Sequence, residues 1–90
     1  MNHIYFINTC DAWKSYDSMR PAFIGTSKKM AYKKLIQMIK DEEVNFYDEE
    51  FTVEQQLTAF KTIWNSQPDN INNHLIFGSY EVLENNCMDL

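Results

Sequence analysis

The sequence predicts one α+β domain over residues 1–90, a three-stranded, mostly antiparallel sheet with two amphipathic helices on one face, in the order β-β-α-α-β. Three observations predict it. Short runs rich in β-branched and aromatic residues stand near both ends of the chain. Between them, two segments carry apolar residues at helical spacing behind a Ser or Thr cap. A chain of 90 residues supports one modest core rather than two.

The first strand is predicted at residues 3–10, where the apolar run Ile4-Tyr5-Phe6-Ile7 turns polar, as a strand leaving the core does. Residues 11–19 read as a loop, with the strand extending through Trp13 as an option. Trp13, Tyr16 and Met19 make it a candidate contact patch. Residues 20–25 form the second strand, and Pro21, which has no N–H for a ladder, belongs at its start or on an edge. Thr26-Ser27 supplies the cap of a first helix running from about Lys28 to Glu43. Ala31, Leu35, Met38 and Ile39 form its inner stripe, widened by Tyr32 and Ile36, and Lys29, Lys33, Gln37 and Lys40 lie opposite. Its charges oppose the macrodipole, lysines first and Asp41-Glu42-Glu43 last, so either packing outweighs them or the acids lie beyond the helix end.

Residues 44–51 are a connector containing Phe46, Tyr47 and Phe51. These are either anchors for a partner or a plug between the helices, and Tyr47 is the member expected to be exposed. Thr52-Val53-Glu54-Gln55 fits a capping box. Val53, Leu57, Phe60 and Trp64 continue as the inner face of the second helix, with Ala59 and Ile63 beside them, and Pro68 stops it. Residues 65–74 read as loop. Residues 75–84 form the third strand, with Tyr80 and Val82 on one face, Ser79 and Glu81 on the other, and Gly78 at a bulge or close backbone approach. The last six residues are expected to fray.

Composition narrows the functional classes. Apolar residues make up 44% of the chain and Gly and Pro number two each, which excludes collagen-like, coiled-coil and disordered chains. No stretch approaches the roughly 18–20 apolar residues of a membrane span. No basic n-region or small-residue cleavage site is visible, so a cytoplasmic protein is expected. Cys10 and Cys87 are expected as two reduced thiols, the alternatives being a disulfide tying the tail to the first strand or a thiolate nucleophile.

Motifs for catalysis are missing. With two glycines no Gly-rich phosphate cradle can form, and no Gly-x-Ser-x-Gly or His-Glu-x-x-His occurs. His3 and His74 are not at metal-ligand spacing and read as polar residues without a role, so no metal, no cofactor and no enzymatic activity are expected.

Charge is the informative feature. The net charge is −5, but residues 14–40 hold seven of the eight basic residues against Asp17 alone. Residues 41–54 hold seven acids and no basic residue: Asp41, Glu42, Glu43, Asp48, Glu49, Glu50 and Glu54. With Tyr47, these form the candidate partner-binding surface, suited to a protein or ribonucleoprotein with a basic groove because the acids approach the charge density of a nucleic-acid backbone. The bland alternative is a solvated loop and helix start. Lys28, Lys29, Lys33, Lys34 and Lys40 form an alternative face for nucleic-acid phosphates. Against that face stand the overall acidity and a single Arg. A third possibility is a structural accessory protein forming a homodimer through a sheet edge.

The stretch Ala22-Phe23-Ile24-Gly25-Thr26-Ser27-Lys28-Lys29-Met30-Ala31, behind the Ile4–Ile7 strand, resembles a pattern in small phage and mobile-element proteins. There, a hydrophobic strand pair leads through a Ser/Thr cap into a helix with Ala on its inner face. Many such proteins are anti-defence factors, including anti-CRISPR proteins, and are similarly small, acidic and free of catalytic motifs. The resemblance implies a non-enzymatic inhibitor acting in the host bacterial cell, which binds a CRISPR effector or other defence nuclease and blocks nucleic-acid binding or activation. It assigns no residue a role.

Overall fold

The computed structural model describes residues 3–84; the tail at 85–90, with Cys87, lies outside the described residues. The fold is α+β. The elements are β1 (His3–Thr9), β2 (Arg20–Gly25), α1 (Lys28–Lys40), β3 (Asn45–Phe46), α2 (Val53–Ser66), α3 (Ile71–His74), β4 (Leu75–Ile76) and β5 (Gly78–Glu84). The sheet order is β2-β1-β5 with both pairings antiparallel, and β3 and β4 form a separate two-stranded ladder.

The first strand takes the centre because it is apolar on both faces. Ile7 pairs with Phe23 and Tyr80, and Tyr5 with Gly25 and Val82, on the face the helices cover. Phe6 pairs with Ile24 and Glu81 on the other. Tyr80 and Val82 thus share a face, as the alternation predicts. Pro21 lies in an edge strand, beside a register shift between Ile7 and Asn8, where no ladder bond is required of it.

The helix stripes account for the core. Ala31, Leu35, Met38 and Ile39 are all buried, and Tyr32 and Ile36 pack at the margin. Ser27 Oγ accepts from the Met30 N–H at 3.2 Å. At the second helix both capping-box bonds form: the Gln55 N–H to Thr52 Oγ1 at 3.1 Å, and the Thr52 N–H to Gln55 Oε1 at 2.9 Å. In the α2 stripe Phe60 alone is fully buried, while Val53, Leu57 and Trp64 lie at its margin.

The first helix ends at Lys40, not at Glu43, and this settles the charge problem. Asp41 is the C-cap, and the next residues form a Schellman motif: the Glu42 N–H donates to Ile39 O at 3.1 Å and the Glu43 N–H to Met38 O at 3.0 Å. Glu42 therefore occupies the left-handed position, φ 60°, which glycine ordinarily fills. Its side chain is exposed. Glu42→Gly is expected to stabilise the fold by about 1 kcal/mol by relieving the Cβ penalty. The readout is a higher urea midpoint at unchanged slope.

Residues 11–19 are a loop, as read, and the optional extension of the first strand through Trp13 is not taken: they turn through a 3₁₀ segment at Tyr16–Ser18, because Asp11 captures the backbone ahead of it. Two further expectations need correction. Residues 65–74 are not loop throughout: α2 continues to Ser66, a 3₁₀ turn follows at Pro68–Asn70, and α3 buries Ile71 completely. The third strand is broken at Phe77, whose φ of 65° splits residues 75–84 into β4 and β5. At Gly78 the close approach is real, since a Cβ there would lie 2.7 Å from Val44 Cγ1 and 3.2 Å from Asn8 O.

Tyr80 is 8% exposed, and burial, then the neighbouring Tyr5, pushes its hydroxyl pKa up to about 12. The folded value lies above the ordinary one, so this contribution to stability is complete below about pH 10 and lost as pH rises toward 12. Stability is therefore expected to fall as pH rises from about 10 to 12. Urea unfolding across that range should show it in the native chain and a flatter profile in Tyr80→Phe.

Candidate partner-binding surface

All seven acids of residues 41–54 are exposed, but they form two runs rather than one block. Asp41, Glu42 and Glu43 close α1, and Asp48, Glu49, Glu50 and Glu54 surround the start of α2. Between them Val44 and Phe46 are buried, at 1% and 0% exposure, and Asn45 is half-buried. Some of the acids have local tasks. Asp41 Oδ1 accepts from Gln37 Nε2 at 3.0 Å, Asp48 Oδ1 accepts from the Glu50 N–H at 2.9 Å, and Glu54 complements the positive end of α2. Glu42, Glu43, Glu49 and Glu50 accept no side-chain hydrogen bond, and none of the seven pairs with a lysine or arginine among the described residues.

The three connector aromatics divide by register. Phe46 is a core residue, edge-on to Phe60 at 5.4 Å. Tyr47, with φ 72°, turns outward and is 52% exposed. It lies between Phe51, ring centroids 5.7 Å apart, and His74, 4.9 Å apart, both nearly parallel to it. The Tyr47 N–H donates to His74 O at 2.8 Å, which locks the stack to the end of α3. A three-ring stack whose central ring, Tyr47, is exposed thus stands beside Asp48, Glu49 and Glu50. His74, expected to be a polar residue without a role, is the half-buried base of this stack.

Gln56 holds the segment in place. It is 4% exposed, its Oε1 accepts from the Phe46 N–H at 2.8 Å, and its Nε2 donates to Phe51 O at 2.9 Å. One side chain thus ties both ends of the Phe46–Phe51 turn to α2. Sequence reasoning missed it, although a signal existed: Gln56 is three residues after Val53 and four before Phe60, inside the apolar stripe.

The loop after β1 is a second surface. Trp13 is 85% exposed and Tyr16 87%, while Met19 is half-buried. Its backbone is firmly built. Asp11 Oδ1 accepts from the N–H groups of Trp13 and Ser15, each at 3.1 Å, Asp11 Oδ2 accepts from Ser15 Oγ at 2.8 Å, and the Asp11 N–H donates to Ser18 Oγ at 2.9 Å. The Ser15 bonds foremost hold the Asp11 carboxyl below its ordinary pKa. Lys14, at φ 55°, reaches to α3 and donates to Asn72 O and Asn72 Oδ1. Desolvation lowers the Lys14 pKa. Cys10 has no disulfide partner among the described residues, the alternative pairing with Cys87 lying outside them, and burial raises its thiol pKa, the opposite of an activated nucleophile.

The lysines separate as well. Lys28, Lys29, Lys33 and Lys40 are exposed and Lys34 is half-buried. Lys28 and Lys29 stand at the start of α1 near Trp64, and Lys40 at its far end. No group of three or more His, Cys, Asp or Glu residues able to hold a metal ion occurs among the described residues, and no helix there is long and apolar enough to cross a membrane. Compared with protein-family models, curated proteins and solved structures, the chain matches none.

Proposed function

We propose that this protein is a non-enzymatic inhibitor that binds a host nucleic-acid-handling complex through its acidic surface and blocks nucleic-acid binding or activation. One observation carries the reading: exposed Asp48, Glu49 and Glu50, without a basic partner among the described residues, stand beside a fixed aromatic stack whose central ring, Tyr47, is exposed. Carboxylates that solvate a turn need no aromatic beside them. A partner-binding surface does, because a half-exposed ring supplies the desolvated anchor and the acids supply orientation and encounter rate. The chemistry that fits is a groove lined by Lys and Arg, as in a nuclease or CRISPR effector, in the cytoplasm of a bacterial host.

The test is a tagged capture from bacterial lysate treated with nuclease, comparing the native chain with the triple variant Asp48→Lys, Glu49→Lys, Glu50→Lys. The native chain is expected to retain one stoichiometric protein and the variant to lose it, with both circular dichroism spectra alike. Equal retention by the variant would sink the acidic-surface reading.

A further inference from the structure

We propose that the cleft between the outer edge of β5 and the 3₁₀ turn at Pro68–Asn70 binds a small apolar α-amino acid, its carboxylate on Lys28 and the hydroxyls of Tyr5 and Tyr80, its ammonium on Asp69. This inference is independent of the acidic surface, with which it shares no residue. The cleft has a volume of about 200 Å³. Sites for drug-sized ligands take roughly 300–1,000 Å³, so this one suits a molecule of a few carbon atoms.

Two buried phenols carry the inference. Tyr5 and Tyr80 share the helix-covered face of the sheet and are diagonal neighbours, since Tyr5 pairs with Val82 and Ile7 with Tyr80. Each is 8% exposed, and both line the cleft. Neither hydroxyl makes a hydrogen bond among the described residues. A phenol hydroxyl buried to this degree ordinarily has a partner, because burial without one costs its desolvation. The raised pKa of Tyr80 keeps its hydroxyl protonated, and so a donor, throughout the neutral range. Two free donors in one cleft call for an acceptor.

The rim carries both signs of charge. Lys28 and Asp69 line the same cleft, yet they form no ion pair among the described residues. Lys28 Nζ lies 5.7 Å from the centre of the Trp64 ring, and Trp64 packs on Tyr80 at 5.7 Å between centroids, so the ammonium stands near the phenols. Neighbouring Asn72 is already engaged: its Oδ1 accepts from the Tyr80 N–H at 2.9 Å and from Lys14 Nζ at 3.2 Å. A cation, an anion and two neutral donors match a zwitterion. A plain carboxylate leaves Asp69 unanswered, and a plain amine leaves Lys28 and both phenols unanswered. Pro68 and Val82 supply apolar walls, Val82 being 42% exposed, and these select a short apolar side chain. His3 completes the lining.

Two-dimensional ¹H–¹⁵N spectra of the full chain would be titrated with L-alanine, L-valine and L-leucine, and with two analogues of valine. Isovalerate lacks the amine, and L-valinamide lacks the carboxylate. L-valine is expected to shift the Asp69, Tyr80 and Val82 amides saturably, and both analogues to bind at least about tenfold more weakly. Asp69→Asn should weaken L-valine by about tenfold and leave isovalerate unchanged, which a merely structural role for Asp69 would not do. Tyr5→Phe with Tyr80→Phe should weaken both by about tenfold or more. Neither hydroxyl is bonded within the fold, so that double variant should give a native-like spectrum. Lys28→Gln, at an exposed position, is expected to give a similar loss and serves if the double variant fails to fold. No saturable shift with any of the three amino acids, equal binding of L-valine and isovalerate, or undiminished binding in the variants would each overturn the proposal.

Discussion

Replacing Gln56 by Leu is expected to destabilise the domain by about 2–4 kcal/mol, the sum of two polar backbone groups left without partners in or near the core. The Phe46 N–H lies in a residue of 0% exposure and donates to Gln56 Oε1 at 2.8 Å, so no water can replace that acceptor without opening the core. The Phe51 carbonyl, half-buried, loses the Gln56 Nε2 donor at 2.9 Å. Leu removes both hydrogen-bonding groups but is branched where Gln is linear, so Gln56→Met, which keeps the unbranched shape, serves as the control for packing. A fall in the urea midpoint at constant slope reads the energy, and shifts in the Tyr47 and Phe51 amide signals read the loosening of the turn. Gln56→Glu sharpens the test. Its carboxylate keeps an acceptor for the Phe46 N–H but opposes the Phe51 carbonyl, and only the protonated acid donates to it. That acid would have a raised folded pKa, so the variant should be relatively more stable below about pH 4 and lose that advantage as pH rises. Native-like stability in Gln56→Leu would show that the turn is held elsewhere.

Adding one methyl group at Gly78 is expected to cost about 1–3 kcal/mol, the usual price of overpacking a filled site. The new Cβ would stand 2.7 Å from Val44 Cγ1, 3.2 Å from Asn8 O and 3.3 Å from Leu75 Cδ2. Val44 and Leu75 are core residues at 1% and 2% exposure, and Asn8 O belongs to the central strand, so none of the three moves freely. The cause can be separated by a double-mutant cycle. Val44→Ala alone leaves a cavity and destabilises. Combined with Gly78→Ala, it removes the nearest clash, so the pair should be less damaging than the sum by about 1 kcal/mol. Strict additivity would mean that the backbone of β1, not Val44, sets the limit.

Much of the fold was legible because it follows from local chemistry. The Ser27 cap, the Thr52–Gln55 capping box and the stripe Ala31, Leu35, Met38, Ile39 depend on neighbours within one helical turn or two, so the spacing of residue types was enough. The same holds for Gly78 and Pro21, each read from what its backbone permits or forbids. The exposed Tyr47 was also legible, but its stack was not: Phe51 is close in sequence, whereas His74 arrives from α3. Gln56 was overlooked because a polar side chain inside an apolar stripe is informative only once its partners, the Phe46 N–H and the Phe51 carbonyl, are brought to it.

By itself the sequence determined the α+β class, the two helices with their caps and inner faces, and the segregation of charge into a lysine-rich first half and an acidic middle. Tertiary structure alone decided that β1 is the central strand, that residues 71–74 are helical around a buried Ile71, and that the acids divide into two runs about Val44 and Phe46. It also decided that Lys28 and Lys29 share a cleft with Trp64, some 35 residues downstream. The physical reason is range. Caps and stripes come from short-range sterics and hydrogen bonds, which propagate along the chain. Strand order, a buried amide between two backbone groups, and a lysine beside a distant indole exist only after the chain has closed long loops, and nothing in the local sequence specifies which closure is made.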